Sequence, residues 1–436
     1  MTAFKLFISH SSRLDDPEVI NDSEQNPNLK LLLDVIHDIK SEYGHAIEIL
    51  VDKDDEKLPA GHDWEKRLNE WLAECHAAVI LFSKRAIENS NWVKKEATIL
   101  SWRRELDKNF RLIPVLLQGQ TDPDDLEKDL FGTLRISKDQ CIRNVSTSQE
   151  ILSGIKNALG GKEALQAKIR QTPFDKLQRV ITKLLAKDSD RDALQEAWEA
   201  LEGEDKPDWN PDAQERFANA LTRHLLREND RVLKNYKNVI NTIRPKVDKD
   251  DAREIFEYVR SLWVDAKAAS CISQGTIHKK FLAQNGNCLP NYTFNRYTER
   301  AWPMDDNLEV VFTSTADRNL LLEQIRNPFR NSKRAQQTPE EIDDKIKKCT
   351  DKIIVYIPNL TQNGNGLLDD YRLRVELREK YPNVIFVLGT GEQLPSSIGA
   401  DVTTVEPELD VALEAIEFDT HEETERFLNK FYTKKS

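Results

Sequence analysis

Ala77-Ala-Val-Ile-Leu-Phe-Ser83, followed a few residues later by Asn89-Ser-Asn-Trp-Val-Lys-Lys-Glu96, is the stretch that decides the fold of this chain. An unbroken apolar run ends on a small polar residue, and a helix then opens behind an Asn or Ser able to cap it. Such a run reads as a strand buried on both faces, the kind a parallel sheet needs when helices cover it. The same rhythm extends outward in both directions. Phe4 to Ser9, Ala46 to Val51 and Arg111 to Leu117 are further strand candidates, and Asn28 to Lys40, His62 to Glu74 and Asn91 to Leu106 carry helical periodicity. Strands alternating with helices at this spacing predict a flavodoxin-like parallel sheet over residues 1–158, within a chain of the α/β class. Open parallel sheets place ligands at the carboxyl ends of their strands. That directs attention to Ser9-His-Ser-Ser12, to Asp52 and to the loop Asp54-Asp-Glu-Lys-Leu-Pro-Ala-Gly61.

Beyond this region the pattern changes twice. Gly160-Gly161 interrupts it, and a stretch rich in Leu, Ala, Glu, Lys and Arg follows, expected to be a helical connector or bundle over 162–300. Within that stretch Gly203 to Pro211 reads as a loop, because two prolines among turn formers cannot continue a helix. Alternation then returns, with strands expected at Glu309 to Thr313, Lys352 to Ile357 and Val384 to Leu388. Helices are expected at Asp317 to Arg326, Pro339 to Cys349 and Leu367 to Tyr381. A second α/β domain, a sensor or assembly module, is therefore expected over 305–436. Cys75 to Phe82 and Cys349 to Tyr356 share an order of elements, which reads either as a diverged duplication or as the ordinary rhythm of βαβ units. The second is favoured, since the shared letters are mostly strand hydrophobes. That comparison puts Tyr371 opposite Glu96.

Composition narrows the function classes. With 436 residues the chain is too long for one ordinary core. A hydrophobic share of 39% with 32% charged residues suits a globular protein. No apolar run approaches the ~18 residues of a membrane helix, and Met1 to Lys5 leads straight into a strand, so no membrane partner and a cytoplasmic location are expected. The formal net charge of -12 argues against nucleic acid as a partner. Five cysteines lie apart without a Cys-x-x-Cys pair, so neither a disulfide framework nor a zinc site is expected. No metal cluster, nucleophile or triad stands out. Gly389-Thr-Gly391 is a weak phosphate-loop signal and reads better as a turn, and Asn363 to Gly366 reads as a loop.

Taken together, the four segments of residues 3–158 resemble the TIR (Toll/interleukin-1 receptor) family. Phe4 to Ser12 resembles its opening box and Leu58-Pro59-Ala60-Gly61 its BB loop. Ser90-Asn-Trp92 followed by Glu96 resembles its S-x-W-C-x-x-E motif, with Val93 at the cysteine position. The resemblance implies Glu96 as the catalytic residue and Ser9, His10, Ser11, Asp52 and Trp92 as substrate-binding neighbours. It also implies cleavage of the nicotinamide–ribose bond of NAD+, giving nicotinamide and linear or cyclic ADP-ribose. NAD+ would be substrate, not cofactor, and activity would follow self-association through TIR domains, as in bacterial TIR effectors of antiviral defence. The C-terminal regions would sense an unnamed trigger. The alternative is a non-catalytic TIR scaffold that signals by TIR–TIR association.

The chemistry is consistent with one principal carboxylate. Ordinary glycosidases need two acidic groups because an alkoxide leaving group must be protonated. Nicotinamide is cationic while bonded to ribose and leaves as a neutral ring, so an anion near the developing oxocarbenium suffices. Trp92 and Glu96 stand at i and i+4 on one helix face, with Asn89 or Ser90 as cap. The nearby helix terminus is expected to favour an ionised Glu96 at neutral pH. Each residue has a simpler role as well. Trp92 serves equally as a core anchor, Glu96 apart from its motif reads as a solvated helix residue, and His10 reads better as a loop hydrogen-bonder than as a base.

Overall fold

A computed structural model describes residues 3–11, 26–52, 64–127, 129–138, 141–186, 191, 214–226, 269–272, 281–284, 308–314, 317–330, 337–349, 352–357, 370–390 and 399–405. The chain divides into two compact units, Met1–Trp263 with Glu423–Ser436, and Val264–Glu422.

The first unit holds a five-stranded parallel sheet in the order β2-β1-β3-β4-β5. Its strands are β1 (Phe4–Ser9), β2 (Ile47–Leu50), β3 (Ala77–Phe82), β4 (Arg111–Leu117) and β5 (Ile142–Val145). All six residues of β3 are buried, as its uninterrupted apolar run requires. One sheet face packs Leu6, Ile8, Ile49, Val79, Leu81 and Val115 against helices α1 (Pro27–Tyr43) and α6 (Ser148–Leu159). Helix α1 opens on Pro27, with the Asn26 side chain accepting from Leu29 N. Helix α6 carries a reciprocal capping box between Thr147 and Glu150. Helices α2 (Trp64–Glu74), α3 (Lys84–Glu88) and α4 (Asn91–Leu106) follow β2 and β3, with α2 contacting β1 and α4 contacting β3 and β4. Every residue of α4 from Val93 to Arg103 is buried. This helix is therefore covered all round, with α2, α3 and the short α5 (Asp129–Thr133) against it.

Gly160 caps α6 at φ +81°, in the region that only glycine enters freely. Gly161 then opens the short α7 (Lys162–Gln166), and α8 (Pro173–Leu185) and the helix Gln214–Leu226 continue the helical region. The loop expected at 203–211 lies outside the described residues.

The second unit has its own five-stranded parallel sheet, ordered β10-β6-β9-β8-β7. Its strands are β6 (Phe281–Gln284), β7 (Leu308–Phe312), β8 (Lys352–Ile357), β9 (Val384–Gly389) and β10 (Val402–Thr404). Strand β6 lies inside the stretch expected to be helical connector and sits between β10 and β9, so this sheet draws on chain before residue 305. Four residues carry too short an apolar period to read as a strand, yet Phe281 is buried and stacked on Phe386. The strand order differs from that of the first sheet, so the shared rhythm does not reflect one topology used twice. Nor does Tyr371 match Glu96. Tyr371 is the first residue of the helix Tyr371–Lys380 and 61% exposed, whereas Glu96 lies well inside α4.

Candidate functional site at the carboxyl end of the first sheet

Ser9 closes β1 and His10 follows it, while Asp52 stands just past the end of β2. The two strands are adjacent and parallel, pairing Phe4 with Ile47 through Phe7 with Leu50, so their carboxyl ends emerge side by side. His10 Nε2 hydrogen-bonds Asp52 Oδ1 across that junction. The polar residues that follow the two buried strands thus meet through sheet register, although 42 positions separate them in the chain.

Glu96 comes to the same place on α4. Ser90 is the cap, its Oγ accepting from Val93 N at 3.2 Å. Trp92, one turn before Glu96, is half-buried and has Lys95 Nζ 5.5 Å from its ring centroid. The Ser9 hydroxyl lies beside Glu96 and Asp52 is near enough to act on its charge. Ser9, His10, Asp52 and Glu96 are therefore brought together. Ser11 is half-buried at the end of the described β1 stretch. Leu58, Pro59, Ala60 and Gly61 lie outside the described residues.

The expectation of a carboxylate ionised at neutral pH does not hold for Glu96 as it is buried on α4. Only 6% of Glu96 is exposed, and burial pushes its carboxyl up from 4.5 to about 8. The Ser9 hydroxyl and Lys95 partly offset the rise, while the negative Asp52 adds to it. Ser9 acts here by proximity: Ser9 Oγ and Glu96 Oε2 are both buried without a hydrogen-bond partner. A rise of this size corresponds to roughly 5 kcal/mol against the charged form. A helix terminus contributes at most ~2 kcal/mol in the other direction, so desolvation wins.

A separate polar network sits at the opposite, amino-terminal end of β1, around α2, the helix that follows residues 58–61. Its buried Glu70 and Glu74 face Arg223 of the helix Gln214–Leu226, with Nη1–Oε2 and Nη1–Oε1 distances of 2.7 and 2.6 Å. Glu74 also holds Lys5 of β1. Next to it, His76 is stacked on Phe4 and accepts a hydrogen bond from Lys5 N at 2.9 Å; burial pushes its imidazole down to about 4, leaving it neutral at pH 7. Sequence reasoning passed over this network. The i, i+4 spacing of Glu70 and Glu74 signals a shared face, but Arg223, 153 positions from Glu70, carries no local signal. Among the described residues no group of three or more His, Cys, Asp or Glu side chains is placed to hold a metal ion. Among the same residues no helix is long and apolar enough to cross a membrane.

A comparison with curated proteins returns no match. The family model described as TIR domain matches residues 35–145, a stretch that contains Asp52, Trp92 and Glu96 and ends with β5. The matched residues carry strands β2 to β5 of the first sheet and helix α4, so this part of the chain is a TIR domain by its family match.

Proposed function

We propose that the TIR domain cleaves NAD+ at the nicotinamide–ribose bond, with Glu96 as the group that stabilises the ribosyl cation. The observation that carries this reading is a buried carboxylate with an unpartnered oxygen, beside Ser9 and close to Asp52, at the carboxyl end of a parallel sheet. Buried polar atoms are normally paired, and an orphaned one at a ligand-binding edge is suited to a ligand's hydroxyl or cation. With its carboxyl raised to about 8, Glu96 is largely protonated at pH 7, and ionising it costs about 1.4 kcal/mol, one pKa unit. A cationic nicotinamide riboside about 5 Å away returns roughly 3 kcal/mol at an effective dielectric near 20. The substrate's own charge thus suffices to ionise the residue that its cleavage needs, and neutral nicotinamide then departs without a general acid.

Activity in this reading follows association of TIR domains, with residues beyond the domain responding to a trigger in the manner of antiviral effectors. The test is nicotinamide release from NAD+ by full-length protein across a concentration series, with light scattering on the same samples. Turnover that rises with assembly and is lost in Glu96→Gln is the expected result. An assembled protein that leaves NAD+ intact would assign the domain to scaffolding, and full activity in a monomeric sample would remove the assembly requirement.

A further inference from the structure

Glu96 and Ser9 are not the only buried groups left without a partner at the end of β1: His10 Nδ1 is a third. His10 is held in a particular way. Its side chain is 6% exposed, and its Nε2 is bonded to Asp52, whose side chain is 37% exposed. A carboxylate only accepts, so Nε2 carries the hydrogen, and in the neutral form of the imidazole the lone pair is then on Nδ1. A ring nitrogen with a free lone pair, oriented from behind by a carboxylate, is the arrangement of a general base. Its chain neighbour Ser9 lies against Glu96, which puts this nitrogen at the same strand end as the cation-stabilising group.

Resting on the NAD+ reading above, we infer that His10 takes the proton of the group that attacks the ribosyl carbon, with Asp52 as its positioning residue. The bond between the anomeric carbon and the pyridine nitrogen breaks, and its electron pair leaves with nicotinamide. Oxygen of a water, or a hydroxyl of the same dinucleotide when the product is cyclic, forms the new bond to that carbon. The proton of that oxygen moves to His10 Nδ1, and Asp52 balances the resulting imidazolium. Glu96 thus serves the departing half of the reaction and His10 the arriving half.

The two roles separate experimentally because a pyridine nucleophile has no proton to lose. Full-length, assembled protein is given NAD+ with an added pyridine base, and hydrolysis and base exchange are measured in the same tube. His10→Gln keeps an amide donor for Asp52 but removes the basic nitrogen. Its ratio of hydrolysis to exchange should fall about 100-fold, within the usual span for a general base. Asp52→Asn, which keeps the shape and loses the charge, should lower the same ratio by a smaller factor. Hydrolysis and exchange falling by equal factors in both variants would make the His10–Asp52 pair structural and overturn the inference. Should His10→Gln fail to fold, the ratio in Asp52→Asn decides alone. Wild-type protein showing neither reaction would defeat the NAD+ reading itself, an outcome distinct from an unchanged ratio in an active enzyme.

Discussion

Replacing Glu96 by Gln should stabilise the protein, and by an amount that grows with pH. The folded state holds the Glu96 proton up to about pH 8, whereas an unfolded chain releases it near the ordinary 4.5. Between those values the folded form binds more protons, so rising pH favours unfolding. The stability this group contributes is complete below 4.5 and is lost as pH rises through 8. Each pH unit in the window removes about 1.4 kcal/mol, which makes the loss roughly 3 kcal/mol at pH 7 and 5 kcal/mol above pH 8. Gln is nearly isosteric and does not titrate, and its amide can donate to the unpartnered Ser9 Oγ. Glu96→Gln should therefore match wild type near pH 4.5 and exceed it by roughly 3 kcal/mol at pH 7. For a unit of this size that is a rise of about 6–12 °C in the unfolding midpoint. Scanning calorimetry of the two full-length proteins at pH values of about 5, 7 and 8.5 reads the difference directly. A gap that stays constant across those pH values would refute the argument, because it would mean that burial does not hold the proton on Glu96.

Three further outcomes follow from the same geometry. In the NAD+ reading kcat/KM should climb with pH towards about 8 and then level off, since it reports the carboxyl of the free enzyme; a profile flat from about pH 5 upward would show that an ionised Glu96 is not needed. Arg223→Ala leaves Glu70 and Glu74 buried against each other without their shared guanidinium and should destabilise the first unit by about 2–3 kcal/mol. That is below the usual range for a broken buried pair, because the Arg223 side chain is 31% exposed, and an unchanged urea midpoint would count against the network. In the second unit Asp343 accepts from Nε and Nη2 of Arg326 at 2.9 Å each, from Lys380 and from Tyr381, and despite its burial these donors hold its carboxyl down at about 2. Asp343→Asn should cost about 2 kcal/mol at neutral pH. That stabilisation is present above 3.8 and lost as pH falls through 2, so chemical denaturation of wild type and variant should converge in acid.

Much of the first sheet could be read from sequence because its strands are buried on both faces and so must be continuously apolar. The expected bounds of β1 and β4 match the observed ones, and those of α4 do as well. Of the short strands, β2 was legible from its apolar run, but β5, β6 and β10 were not. In β5 the residues between Ile142 and Val145 are exposed Arg143 and Asn144, as suits an edge strand, and β10 offers only Val402–Thr404. Both are strands because a neighbour supplies their hydrogen bonds, and no local pattern records that neighbour.

The site divides along the same line. Which residues stand at strand ends is a matter of local pattern, which directs attention to Ser9, His10 and Asp52, whereas Trp92 and Glu96 are named through the family motif they resemble. The protonation of Glu96 and the pairing of His10 with Asp52 belong to the tertiary structure. Desolvation depends on everything packed around a carboxyl, here an α4 covered all round. A hydrogen bond between residues 42 positions apart depends on the register of β1 against β2. Sequence determines which chemical groups are available, and packing determines which of them are charged and which way their lone pairs point.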